Sequence, residues 1–325
     1  MLNFRRKNLT KLVASLSTVC CLVACTPERD PATLFAPEGI GVLVVNGVLI
    51  VGEPLPLIRL TRTQEPDAPF DDDSGVILAD VSIAFEGPPI TYCSLNQSGQ
   101  YFPFIDAVPL VLPATKYDLV VTTTEGERLT ASTTTPEQFD ISEWSLTASD
   151  GQSQLRTLKS FDDEGDQVYF HPDNQLTYGE GLVDARFTGT SAAAHGAFGF
   201  QLALFSLDLD SELVVDPPFV DDEDLEALPR LGSSPMLEGS DGLLRLPWFA
   251  IYFGGRHLYK VHAVDRNWFD LVRSVPLAGG SFGPGSNIGE GNDPPIFHIN
   301  GGIGLFGSAS VDSTGFFVRP ALKSD

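Results

Sequence analysis

From Val42 onward the chain alternates apolar and polar residues with a period of two, and no long stretch sustains the 3.6-residue period of an amphipathic helix. Val42-Leu43-Val44-Val45-Asn46-Gly47-Val48-Leu49-Ile50 is the first run, and 55–62 is the next. Residues 76–85 follow, with Ile77, Ala79, Val81 and Ile83 predicted on one face. Gly87-Pro88-Pro89 marks a turn, and strand-like runs resume at 116–124 and 128–135. Val, Ile, Thr and Tyr dominate these runs, and Gly and Pro punctuate them. The pattern predicts a small antiparallel sandwich over residues 40–137, closed by Thr135-Pro136. A crossing segment at 138–150 leads into a second β-rich region, 138–325, with strands expected at 168–171, 181–188, 198–209, 243–253, 257–265, 303–311 and 316–319. Short helices are expected near 221–228 and 267–275. The expected fold class is all-β: two antiparallel β-sandwich-like domains in tandem, with short helices in loops.

The N-terminus says where such a chain would work. Arg5, Arg6, Lys7 and Lys11 precede an uncharged apolar stretch over 12–24 that falls short of the ~20 residues a membrane-spanning helix needs. The stretch ends in Leu22-Val23-Ala24-Cys25, an apolar residue, a tolerated one, a small one and then a thiol. A signal peptidase needs the small side chain before its cut, and a diacylglycerol transferase needs the thiol. Residues 1–24 are therefore expected to be a signal peptide, Cys25 the lipidation site, and 25–39 a tether rich in Pro, Asp and Glu. Several acyl chains would hold the protein to a membrane permanently, whereas a single chain binds only marginally. Thr26-Pro27 follows the cysteine without the Asp that retains some lipoproteins at the inner membrane, so the outer membrane is the expected location.

Charge and cysteine usage narrow the partners. The chain carries 43 acidic against 20 basic residues, a net charge of −23, which argues against nucleic acid and anionic lipid as ligands. With Cys20 and Cys21 in the signal and Cys25 lipidated, only Cys93 is left, and no intramolecular disulfide is expected. Cys93 has no His near it in sequence and is expected to be a buried structural thiol.

Candidate chemistry is sparse. His257 and His262 are spaced to lie on opposite faces of a strand, a poor arrangement for sharing a metal. No His-Glu-x-x-His or Cys-x-x-Cys occurs, and no motif calls for a cofactor. The acidic runs Asp71-Asp72-Asp73 and Asp221-Asp222-Glu223-Asp224 offer candidate calcium ligands, Asp221, Asp222 and Asp224 above all. Neither has EF-hand spacing, and a solvated loop is the plainer reading. Gly283-Pro284-Gly285-Ser286-Asn287 lacks the elbow a serine nucleophile needs. In the run Trp248, Phe249, Tyr252, Phe253, Trp248 and Tyr252 share parity; one parity set is expected in the core, the other as a ligand platform or an inter-domain contact. Two long segments, the glycine-rich loop at 279–291 and the acidic insert at 216–226, are the expected partner surface, with Gly283, Asn287, Trp248 and Tyr252 as candidate contact residues.

These pieces together resemble the DUF4249 family of Bacteroidetes-type envelope lipoproteins. The residues that carry the resemblance are Val44-Val45-Asn46-Gly47-Val48-Leu49, Ile58-Arg59-Leu60-Thr61-Arg62-Thr63, Ala79-Asp80-Val81-Ser82-Ile83, Gly99-Gln100-Tyr101 and Tyr117-Asp118-Leu119-Val120-Val121. The most distinctive is Asn300-Gly301-Gly302-Ile303-Gly304-Leu305-Phe306-Gly307, preceded by Pro294-Pro295 and an atypical Ile296-Phe297-His298-Ile299. The N-terminal half is also similar to transthyretin-like or carboxypeptidase-regulatory-like sandwiches. The resemblance implies an envelope lipoprotein working beside a TonB-dependent outer-membrane transporter, and it supplies no catalytic residue. The expected function is thus a non-catalytic outer-membrane binding module. The alternative is a carbohydrate-active or other hydrolase whose carboxylates come from separate strands, a geometry that sequence does not reveal.

Overall fold

A computed structural model of the chain describes residues 40–64, 75–94, 98–214, 229–238, 241–274 and 295–321. The N-terminal strands are β1 (Leu43–Ile50), β2 (Ile58–Arg62), β3 (Asp80–Ala84), β4 (Ile90–Ser94), β5 (Gln100–Pro103), β6 (Lys116–Thr122) and β7 (Arg128–Thr134). They are followed by β8 (Ile141–Thr147), β9 (Gln154–Leu158), β10 (Gln175–Thr177), β11 (Leu182–Phe187), β12 (Gly199–Ser206), β13 (Leu231–Ser233), β14 (Leu243–Leu246), β15 (Gly255–Val264), β16 (Ile299–Asn300) and β17 (Ile303–Arg319). Among the described residues the two α-helices are short: α1 (Phe161–Glu164) and α2 (Arg266–Ser274). The fold is all-β, with two sheets and only short helices, as the alternation predicts.

One large sheet has the order β13-β12-β15-β17-β1-β2-β5-β4-β3-β6-β7-β16, with β10 paired to β17 off this path; the other is β14-β11-β8-β9. Two pairings, β1 with β17 and β10 with β17, are parallel. The first core lies within the N-terminal strands and includes Leu43, Val45, Ile58, Leu60, Val81, Ile83, Tyr101, Tyr117, Leu119 and Leu129. The second lies between the small sheet and β12, β15 and β17, and includes Trp144, Leu146, Val183, Phe200, Leu244, Tyr259 and Val261. Strand β17 serves both: Phe306 enters the first core, Phe316 and Val318 the second.

The distinctive glycine motif explains how the first core is closed. β16 pairs with β7, and β17 begins after two intervening residues beside β1, so this stretch joins the two ends of the N-terminal strands. The join needs glycine. A Cβ at Gly301 would sit 2.1 Å from the Arg128 carbonyl oxygen, and one at Gly304 2.1 Å from that of Val45, both at positive φ. Other motif residues also do structural work. The buried Tyr101 hydroxyl donates to Val76 O (2.9 Å) and accepts from Ala79 N (3.0 Å), while Tyr117 accepts from Leu112 N (2.8 Å). Where the two cores meet, Thr133 Oγ1 donates to Asp265 Oδ2, and Asp265 Oδ1 accepts from Trp268 N (3.0 Å) at the start of α2. Asn267 Nδ2 donates to Ser132 O and Phe306 O, fastening α2 to both β7 and β17.

Three local expectations are corrected. Ile77 is exposed rather than sharing the buried face of Ala79, Val81 and Ile83, because Leu78 at φ 60° breaks the alternation. Of residues 168–171, the first three fall in a 3₁₀ turn (Gly165–Phe170) and His171 ends it before Pro172, after the Ser160 capping box and Gly165. The strand expected over 243–253 stops at Leu246, where Pro247 leads into a 3₁₀ turn, Trp248–Ala250. The helix expected at 267–275 is α2.

Candidate functional site

The sheet gives the body two opposite ends. β1 enters just after Ile40, and Val44 lies beside Ile303. β17 runs past the end of β1 and continues against β15 until Val318 faces Gly255. At about 3.3 Å per residue, Ile303 and Val318 are separated by roughly 50 Å measured along the strand. The end near Ile40, where Gly41 N donates to Thr63 O, is called proximal here, and the end near Val318 distal.

The distal end holds an open cleft of about 630 Å³, built from the 207–212 loop, the start of β15 and the end of β17. Two arginines fix that loop. The Asp208 carboxylate accepts from the Arg256 backbone N–H (2.7 Å), Nε (2.8 Å) and Nη2 (2.6 Å). These bonds hold the Asp208 carboxyl below the usual carboxylate range. Gly255 permits the approach, since a Cβ there would meet Asp208 Oδ2 at 2.6 Å. Arg230 lies 4.0 Å over the Phe253 ring and donates to Asp208 O (2.7 Å), Leu209 O (2.7 Å) and Ser211 Oγ (3.0 Å). Leu207, Phe317, Val318 and Pro320 supply apolar lining, Leu209 stands 77 % exposed, and the exposed Asp210 and Glu212 add carboxylates.

Of the residues singled out from sequence, Trp248 and Tyr252 lie close to this end. Trp248 packs edge-on against Tyr178 (5.5 Å, 88°), and Tyr178 N donates to Arg319 O (2.8 Å) just before Pro320. Tyr252 O accepts from Val214 N (2.9 Å), while Phe253, of the other parity, is buried. Val214 and Pro229, which flank the acidic insert, therefore border the distal end. The flanks of the glycine-rich segment sit elsewhere: Ile296 N donates to Ser274 Oγ (2.8 Å) at the end of α2. Gly283, Asn287, Asp221, Asp222, Asp224 and the lipidation candidate Cys25 lie outside the described residues, as does Asp71-Asp72-Asp73. The sequence reading missed the 207–212 loop and Arg256. The run Asp208-Leu209-Asp210-Ser211-Glu212 offered a charge signal, but its arginine partners are distant in sequence.

The histidines divide as their spacing predicts. His257 is 1 % exposed, stacks on Phe316 (5.6 Å, 9°) and shares a hydrogen bond with Gly255 O (3.0 Å); burial pushes its pKa down to about 4. His262 is on the other face, bonded to Gln201 O (3.2 Å) and also lowered by burial to about 4. His298 pairs with Asp270 at 2.7 Å. Cys93 is half-exposed in β4, not buried as expected, since β4 leaves this position on the less covered face. Among the described residues no cluster of three or more His, Cys, Asp or Glu is placed to hold a metal ion, and no helix is long and apolar enough to cross a membrane.

A family model described as a domain of unknown function, DUF4249, matches residues 37–314. The chain belongs to the DUF4249 family. The match takes in the glycine motif at 300–307, the first core, most of the second and the 207–212 loop. No match was found among curated proteins. Two solved structures are similar at low level. One holds the FN1–FN3 domains of chicken CNTN1, at 14 % identity and TM-score 0.23, over 71 % of this chain and 63 % of that one. The other is a 1.5-MDa bacterial ice-binding adhesin, at 8 % identity and TM-score 0.20, over 87 % of this chain and 66 % of that one. The DUF4249 chain thus spans less than two thirds of each, and neither likeness carries an argument about its fold or its work.

Proposed function

We propose that this DUF4249 protein is a non-catalytic outer-membrane lipoprotein, held by lipid on Cys25, that binds an envelope partner through its distal end. A TonB-dependent transporter is the partner class the family resemblance implies. The observation that carries the reading is the separation of the two ends: the chain enters the body at Ile40, and the cleft lies at the far end of β17. On this reading the proximal half is a spacer between the chain's entry at Ile40 and the cleft. The charged, then apolar N-terminus ending in Leu22-Val23-Ala24-Cys25 supports the anchor. In the cleft, Asp208 is committed to Arg256, which suits a fixed binding surface better than acid–base chemistry.

The test has two parts. Mass spectrometry of the mature N-terminus is expected to find acyl mass on Cys25, lost with mislocalisation in Cys25→Ala; an unmodified amino terminus at another residue sinks the anchor. Photo-cross-linking residues are then placed at Leu209 in the distal loop and at Glu125 in the proximal β6–β7 turn. The partner is expected to be captured in the native envelope from Leu209 alone. Capture from Glu125 alone would refute the distal assignment.

A further inference from the structure

Resting on the reading of a lipid anchor at Cys25, we propose that the proximal half also touches the bilayer directly, through an apolar ribbon at the end of β1 remote from Ile40. β1 leaves that end at Ile50, β5 leaves it at Pro103, and β2 starts there at Ile58. Between them residues 52–55 and 109–112 run side by side: Gly52 N donates to Val111 O (2.9 Å), Val111 N to Glu53 O (2.8 Å) and Leu55 N to Pro109 O (3.1 Å). The two-residue period sorts the side chains of this ribbon. Leu55 and Val111 are buried, while Leu110 (54 % exposed) and Leu112 face outward. Leu57, Ile105, Val108 and above all Phe104, 75 % exposed, extend the apolar surface. Phe104 is pinned by its N–H, which donates to Thr91 O (2.8 Å). Large apolar side chains displayed on hydrogen-bonded backbone form a prepared contact surface.

Charge and reach make a bilayer the occupant. Residues 50–58 and 103–115 hold no Lys or Arg and only two carboxylates, Glu53 and Asp106, in a chain with 43 acidic residues. Glu86 and the Lys116–Asp118 ion pair stand beyond them, after β3 and on β6. The ribbon thus has little charge pattern with which to select a partner protein, and it suits the acyl boundary of a zwitterionic bilayer, with the two carboxylates at headgroup level. The other end of β1 also exposes Ile40, but beside the charged Arg62, Glu125 and Glu127. As to reach, β1 is about 25 Å long. The stretch from Cys25 to Ile40 extends to roughly 50 Å at most, so acyl chains on Cys25 and the ribbon can enter one bilayer together. Each contact strengthens the other, because the second is made within one tethered molecule. β17 runs on past Ala309, the partner of Ile50, for about 30 Å to Val318. A body resting on the ribbon therefore holds the distal cleft beside a partner embedded in the same membrane.

The experiment uses the full lipidated chain in phosphatidylcholine vesicles, with a photo-cross-linking residue placed in turn at Phe104, Leu110, Ile40 and Leu209. Lipid adducts are quantified by mass spectrometry. Phe104 and Leu110 are expected to give at least fivefold more lipid adduct than Ile40 or Leu209. Phe104→Ser combined with Ile105→Ser is expected to lower the adduct at Leu110 severalfold and to leave the urea midpoint unchanged, because both side chains are exposed. Adducts at Ile40 alone would stand the body on its proximal end and overturn the proposal. So would equal yields at all four positions, adducts joining Phe104 or Leu110 to a second copy or to residues 26–39, or a Leu110 yield unchanged in the double variant. If Cys25 carries acyl mass and Phe104 and Leu110 still give no lipid adduct, this inference alone falls. If Cys25 carries none, the anchor reading falls with it.

Discussion

The proximal and distal halves are stabilised by different means. The proximal half seals its core with backbone: glycines let β16 and β17 pass within contact of β7 and β1, and buried tyrosine hydroxyls tie crossing segments together. The distal half relies on buried or half-buried ion pairs, Arg245 with Asp184 and Arg156 with Glu180, to hold loops and the outer face of the small sheet. The residues that carry the family resemblance fall mostly in the proximal half. They mark how the first core closes, and the binding surface lies elsewhere.

The largest expected effect breaks the closure. Gly304→Val places a branched side chain where even a Cβ meets the Val45 carbonyl oxygen at 2.1 Å, and it forces a β-branched residue to φ +114°. Destabilisation of about 3 kcal/mol or more is expected, read as a fall in the urea midpoint. A midpoint unchanged from the parent chain would mean that β17 does not close the first core. Arg245→Met is expected to cost less, about 2–3 kcal/mol. Asp184 has no exposed surface and receives Nε and Nη2 of Arg245 at 2.6 and 2.7 Å and Thr147 Oγ1 at 2.8 Å, so the variant strands a buried carboxylate. Proteolysis should then open the small sheet first. Cleavage starting in β1–β7 instead would contradict the division.

How much of this was legible in the sequence follows from what each signal depends on. Alternation along β1, β6 and β7 is local, and so were the strands it predicted. The glycine motif was visible, but its purpose was not. Its partners, Val45 and Arg128, come from the opposite end of the chain, and nothing local says that residues 299–309 complete a core begun at residue 43. The aromatic run at 248–253 was misplaced on a strand because Pro247 ends the alternation more sharply than apolar spacing suggests. The distal cleft was missed for the same reason as the closure: Asp208 and Arg230 converge with Arg256 only through long-range pairing of β12, β13 and β15.

Acid should separate the contributions to stability further. His257 and His262 have folded-state pKa values near 4, against about 6.5 unfolded. Between those values the unfolded chain binds more protons, so each histidine contributes stability that is lost as pH falls from about 6.5 towards 4. Asp265 and Asp312 act oppositely: burial raises their pKa, so the folded state holds those protons better and stability falls as pH rises through their window. Each histidine is expected to cost about 2 kcal/mol at most between pH 6.5 and 4.5. His257→Gln should remove about half of that slope in urea titrations at pH 6.5 and 4.5. A slope identical to the parent chain would show that His257 already titrates near its ordinary value in the folded protein.

The smallest effect is expected at the proximal surface, where an ion pair looks as well formed as any distal one. Arg62 Nη2 meets Glu127, and Nη1 donates to Gly41 O at 2.6 Å, close to where the chain enters. The geometry invites the view that this pair anchors the entry point. Exposure argues otherwise. The Glu127 side chain is 45 % exposed, its charge is screened by water and salt, and a second carboxylate, Glu125, stands 3.8 Å from the same guanidinium. Losing Glu127 therefore leaves Arg62 solvated, still bonded to Gly41 and near another carboxylate. Glu127→Gln is expected to leave the urea midpoint within measurement error, with no dependence on salt beyond that of the parent. In the same assay Arg245→Met shifts it clearly. A midpoint that drops as far in Glu127→Gln as in Arg245→Met would erase the contrast, because both halves would then depend on ion pairs and burial would no longer decide which of them matter.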